Sequence, residues 1–166
     1  MRPLVRLGAA VLIVFGGLWA IGQALARRRT VGDATSDEFE LAAYFGGAQR
    51  TSTAASLRHG VVQAILGGVD LDLREAAPDP DGATLELSAL WGGVNVTVPR
   101  SWRVVVEDRS ILGGFDARTT PPEELPDDAP LLRVRVSARF GGAAIRAADP
   151  AGGGDDVHRL RGFAAS

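Results

Sequence analysis

Ile65-Leu66-Gly67-Gly68-Val69-Asp70-Leu71-Asp72-Leu73 is the stretch whose reading decides the fold class. A bulky apolar residue precedes two glycines, and an alternating apolar/polar run follows them. The same arrangement returns at Leu90-Trp91-Gly92-Gly93-Val94-Asn95-Val96-Thr97-Val98. It returns more loosely at Ile111-Leu112-Gly113-Gly114-Phe115-Asp116, with echoes at Tyr44-Phe45-Gly46-Gly47-Ala48 and Arg139-Phe140-Gly141-Gly142-Ala143. The first glycines, at 46, 67, 92, 113 and 141, are spaced by 21, 25, 21 and 28 residues. Near-equal periods of about twenty residues mark a repeat array, and insertions in such arrays fall in loops. The two longer intervals hold turn-rich stretches, Ala77 to Gly82 and Pro121 to Asp128. Both are dense in Pro and Asp, which break regular structure.

Each unit divides into two short strands around its glycine pair. Val61 to Ile65, Thr84 to Leu90, Trp102 to Val106 and Leu132 to Val136 come before the glycines. Val69 to Leu73 and Val94 to Val98 come after them. Alternation of period two buries one face of a strand and wets the other. Val69, Leu71 and Leu73 are expected to point inward, and Asp70 and Asp72 outward. A slip of one residue would bury the aspartates, so the register is well specified. Glycine lacks Cβ, takes positive φ readily and allows close backbone approach. The pairs Gly46/Gly47, Gly67/Gly68, Gly92/Gly93, Gly113/Gly114 and Gly141/Gly142 are therefore expected to form sharp corners. If successive units stack, the corners align in one column, with Phe45, Leu66, Trp91, Leu112 and Phe140 stacked inside. One unit cannot bury its own apolar face, whereas five stacked units can. The expected fold is all-β: a short, β-helix-like solenoid of about five two-strand repeats, preceded by one transmembrane α-helix. The rival is an antiparallel β-sandwich in which the glycine pairs mark bulges.

That helix is expected over Leu7 to Ala26, twenty residues without a charge. At helical rise the run spans roughly 30 Å, the hydrocarbon thickness of a bilayer. Ala24-Leu25-Ala26 resembles a signal-peptide cleavage site, but Arg27, Arg28 and Arg29 follow it directly and argue for a retained anchor. The domain plan is an N-terminal flank (1–6), a transmembrane helix with its basic flank (7–29), a polar linker (30–38), the repeat domain (39–148) and a loose Gly-rich tail (149–166). Arg2 and Arg6 face Arg27, Arg28 and Arg29 across the span, so the positive-inside rule leans only slightly toward a cytoplasmic domain.

Composition removes several kinds of chemistry. The chain of 166 residues has no Cys, which excludes disulfides, thiolate metal sites and cysteine nucleophiles. It has no Lys either, which excludes Schiff bases and a P-loop lysine. Beyond residue 29, thirteen Arg stand against twenty Asp and Glu, a formal net charge of −7. An acidic domain of this kind disfavours nucleic acid. Asp70-x-Asp72 resembles a metal-binding DxD, yet no further acids accompany it and a solvated strand face is the simpler reading. His59 and His158 are isolated, whereas a zinc site needs three or four ligands at suitable spacing. Trp102 reads as core. No catalytic, cofactor or metal residue is assigned, and no cofactor is expected.

Gly67 to Ala76 and Gly92 to Val104, together with the FGG, LGG and WGG units, resemble the C-terminal domain of the LiaF-like cell-wall-active antibiotic response proteins. The resemblance covers about residues 39–147. It implies a membrane-associated, non-enzymatic β-rich domain that modulates an envelope-stress sensor kinase. The best-known members carry several membrane spans ahead of this domain, where this chain has one apolar run. The partners expected are the membrane, through the N-terminal helix, and a membrane protein or sensor kinase. Two alternatives stand beside this reading: an envelope glycan- or lipid-binding, or metal-dependent, module using the outward strand acids, and a structural domain serving self-association.

Overall fold

The computed structural model describes residues 31–150. The expected helix over 7–26, its flank Arg27, Arg28 and Arg29, and the tail from 151 lie outside the described residues. Among the described residues no helix is long and apolar enough to cross a membrane.

Among the described residues eight strands run β1 (Glu38–Thr51), β2 (His59–Asp72), β3 (Ala83–Leu90), β4 (Gly93–Pro99), β5 (Arg103–Asp108), β6 (Gly114–Arg118), β7 (Leu131–Arg139) and β8 (Gly142–Ala148). One 3-10 turn, Pro122–Glu124, lies between β6 and β7. Every pairing between named strands is parallel, so the antiparallel sandwich is ruled out. The strands form five V-shaped units: 38–51, 59–72, 83–99, 103–118 and 131–148. The first arm of β2 pairs with β3 and its second arm with β4, so each unit lies flat on the next and the corners align.

The walls of the stack follow the period-two pattern. Val62, Leu85, Leu87, Val134 and Val136 are buried on one wall. Val69, Leu71, Val94, Val96 and Ile145 are buried on the other, as the alternation predicts. Each such side chain contributes about 1.5–3 kcal/mol on burial. The connecting segments bury Ala54, Leu57, Leu73, Ala76 and Trp102, and close a third side with Val98 at the end of β4.

Units do not stack in chain order. β5 pairs with β7 rather than β3, and β6 with β8 rather than β4. The fifth unit in sequence is therefore inserted between the third and fourth, which corrects the expected successive stacking. The inward pattern explains the choice. β7 presents Leu132, Val134, Val136 and Ala138, all buried, and can sit between two neighbours. The corresponding inward positions of the 103–118 unit are Val104, Val106, Asp108 and Ser110, which suit an end. Residues 119–130, including the Pro121 to Asp128 insertion, form the return crossing.

The opposite end of the stack is covered. The stretch 30–38, expected as a linker, folds over it from Val31 on. Val31 and Glu40 exchange backbone hydrogen bonds of 2.9 and 3.0 Å, and the Thr53 amide donates to Ala34 O at 2.7 Å. Arg50 occupies the inward position held by Leu71, Val96 and Ile145 in other units. Its guanidinium lies 4.6 Å over the Phe39 ring and donates to the carbonyls of Gly32 and Asp33. Burial pushes its pKa down, and the charge of Asp33 opposes that shift.

Candidate functional site at the glycine corner

The residues preceding the glycine pairs carry the unusual backbone. Phe45, Leu66, Trp91, Leu112 and Phe140 stand at φ of 50, 54, 53, 54 and 54°. The corner thus places the left-handed residue one position earlier than expected. Among the paired glycines only Gly46, at φ 151°, departs from negative φ. A left-handed L-residue costs about 1–2 kcal/mol relative to its normal conformation. Glycine would avoid that cost, yet all five positions hold a large apolar side chain.

The first glycine is needed for space at Gly67, Gly92, Gly113 and Gly141. A Cβ on Gly67 would lie 2.0 Å from Gly46 O, and one on Gly92 2.1 Å from Gly67 O. On Gly141 it would lie 2.2 Å from Gly92 O, and on Gly113 2.7 Å from Gly141 O. Backbone stacks directly on backbone at the corner. The Gly142 amide donates to Gly92 O at 3.0 Å, and the Gly114 amide to Gly141 O at 3.1 Å. Four of the second glycines differ, while a Cβ on Gly142 would lie 3.3 Å from Gly114 O. Nothing lies within 4 Å of a Cβ built on Gly47 or Gly114, and the nearest atoms to one on Gly68 or Gly93 are at 3.9 and 3.8 Å.

The left-handed turn sends the five preceding side chains outward, not into the core as expected. Phe45 is 36% exposed, Leu66 47%, Trp91 59%, Phe140 52% and Leu112 74%, given in their spatial order along the stack. Trp91 and Phe140 stack with ring centroids 4.9 Å apart and 22° between planes. Ile111 and Leu90 are exposed beside them. Inside the corner the space is taken by small residues, Ala43, Ala64, Ala89 and Ala138, all buried. The result is an apolar ridge running the length of the molecule. Beside it lies an open groove of about 200 Å³ lined by Gln63, Ile65, Ser88, Leu90, Ser137 and Arg139, among others. Small-molecule sites enclose about 300–1,000 Å³, so the groove is better suited to hold part of a surface than a free ligand.

The outward acids are occupied. Asn95 Nδ2 donates to Asp70 Oδ1 at 2.9 Å. Arg74 Nη2 sits 2.7 Å from Asp72 Oδ2, and its hydrogen bonds hold the Asp72 carboxyl below the usual range. Among the described residues no group of three His, Asp or Glu side chains converges on a metal-sized site. His59 begins β2, and His158 lies outside the described residues. A second polar feature escaped the sequence reading. Arg135 lies 3.5 Å from both Glu86 and Glu107, linking three adjacent units on the outer face of the first wall. Charge alternation in space was hidden because the order of stacking was hidden.

Comparison with protein-family models, curated proteins and solved structures gave no match.

Proposed function

We propose that the chain is a membrane-anchored, non-enzymatic binding and regulatory protein of the cell-envelope stress response, acting as the LiaF-like proteins it resembles do. Its partner is a membrane protein, a sensor kinase in the first instance. In this reading the stack is a short β-solenoid, tethered by a single transmembrane helix over 7–26, with the basic flank leaning it toward the cytoplasm.

The observation that carries the binding role is the ridge of Phe45, Leu66, Trp91, Phe140 and Leu112. Large exposed apolar surface marks interaction sites, and backbone strain retained under such side chains is a pointer to function. Aromatic anchors supply much of the energy of protein interfaces. The ridge is tested in the producing cell. A deletion strain is complemented with the full chain, either wild type or Trp91→Ser/Phe140→Ser, and an envelope-stress reporter is read after a cell-wall antibiotic. The double variant is expected to keep its thermal midpoint within a few degrees, since both rings are exposed, and to respond as the deletion does. A wild-type response from a folded double variant removes the ridge from the function. A deletion with no change in the response removes the envelope-stress role itself.

A further inference from the structure

The two ends of the stack are unlike. At one end Phe39, Leu41 and Ala43 are buried, the Arg50 guanidinium lies over the Phe39 ring, and the 31–37 segment is hydrogen-bonded to Glu40 and Thr53. At the other, among the described residues, β5 and β6 each pair with a single strand. Their inward residues Val104, Val106 and Phe115 are only partly buried, and Val105 on the outer face is 47% exposed. An uncovered strand with apolar inward residues is a template for another strand.

We infer that β5 is the contact for a second copy of this chain, through antiparallel pairing of Arg103–Asp108 with itself, centred on Val105. Backbone direction, core continuity and charge agree on this register. The amides of Arg103, Arg109 and Ile111 donate toward β7 and its flanks, at 2.8, 2.9 and 2.8 Å. The backbone N–H and C=O of odd-numbered positions therefore face β7, and those of Val104 and Val106 face the open side. Centring on Val105 sets Val104 opposite Val106 of the second copy, so both free pairs of groups are used in the close hydrogen-bonded arrangement of antiparallel strands. The same register continues the apolar interior from one copy into the next.

Charge selects this register over its neighbours. It sets Arg103 opposite Glu107 of the second copy, on the column where Glu86, Arg135 and Glu107 already alternate in sign. The column then reads Glu86, Arg135, Glu107 and Arg103 across the contact. Among the described residues Arg103 makes no ion pair; its Nη2 donates to Pro126 O at 3.0 Å, and its Nε is buried without a hydrogen-bond partner. Shifting the centre to Val106 would instead oppose Arg103 to Arg109, like charge to like. Shifting it to Val104 would leave Glu107 opposite Ser101.

The chain has no cysteine, which makes the test direct. The full chain carrying Val105→Cys is oxidised. Self-opposed residues at a non-hydrogen-bonded antiparallel position have Cα atoms about 4.5 Å apart, within disulfide range. A disulfide-linked dimer is expected, and none from Asp116→Cys on β6. Arg103→Glu or Glu107→Arg alone is expected to weaken the Val105→Cys dimer about tenfold, since two symmetry-related attractions become repulsions. The two substitutions together restore it, which excludes simple misfolding. The inference is overturned by a folded Val105→Cys chain that stays monomeric. Equal crosslinking from Asp116→Cys, or charge reversals without effect, also overturns it. None of these outcomes bears on the ridge, which lies on another surface.

Discussion

Gly67 and Gly68 look alike in the sequence and do different things. Gly67 has the carbonyl of Gly46 where its Cβ would go, at 2.0 Å, and the obstructing atom is backbone. Gly68 has nothing nearer than 3.9 Å and does not sit in the left-handed region. Gly67→Ala must therefore push two units apart at the corner, with an expected loss of about 3 kcal/mol or more, at the severe end for overpacking. Gly68→Ala removes unfolded-state freedom without a clash and is expected to be neutral or stabilising by up to about 1 kcal/mol. Urea denaturation of the two variants separates them. Similar losses would mean that the corner depends on conformational freedom at both positions rather than on close approach at one. The Gly-Gly repeat located the corner from sequence alone. It did not show which glycine is indispensable, because that depends on the neighbouring unit and not on the local chain.

At the scale of the element, the alternating stretches were legible because burial of one face forces period two. Val69, Leu71 and Leu73 turn inward and Asp70 and Asp72 outward. The same logic failed one residue before the glycines. Continuing the alternation from Val62 and Ala64 assigns Leu66 to the core, but its left-handed φ of 54° breaks the phase and turns it out. The ridge was thus visible as a pattern and misplaced as to side. The segment before β1 was misjudged for another reason. Its side chains are polar, and its order comes from hydrogen bonds that composition does not reveal. Asp33 Oδ1 accepts from the Thr35 amide at 3.0 Å and from the Thr35 and Ser36 hydroxyls at 2.8 and 3.0 Å. These bonds hold the Asp33 carboxyl below its usual value of 3.8. A depressed folded-state pKa means that the contribution is present in full above the unfolded value and is lost as pH falls through the folded one. Hydrogen exchange at the Thr35 amide is therefore expected to be protected near neutral pH, after correction for the intrinsic rate, and to lose protection below 3.8. Asp33→Ala should expose the amide at every pH. A Thr35 amide indifferent to both changes would show that Asp33 does not hold this turn.

At the scale of the whole molecule, chain order and spatial order part company. A repeat fixes what one unit can pair with but not which unit it meets, since every unit offers the same strand pattern to every other. The only local hint is the quality of the inward face, with Leu132, Val134, Val136 and Ala138 against Val104, Val106, Asp108 and Ser110. The first set can be covered on both sides, whereas the second would bury a carboxylate at Asp108. Burying an unpaired charge costs far more than the small entropy of a longer connection, so the return crossing through 119–130 is favoured over the shorter path. Paired cysteines decide between the two orders. Glu86 and Arg135 are directly opposed in the β3–β7 pairing, and Arg135 is opposed to Glu107 in the β5–β7 pairing. Neighbouring strands lie about 4.8 Å apart, within the Cα range of a disulfide, whereas strands two places apart, at about 9.6 Å, exceed it. Glu86→Cys/Arg135→Cys is therefore expected to form an intramolecular disulfide on mild oxidation, and Glu86→Cys/Glu107→Cys to keep both thiols free. The reverse result would mean that the units stack in chain order, with β5 on β3, and that β7, whose inward face is fully apolar, forms the open end.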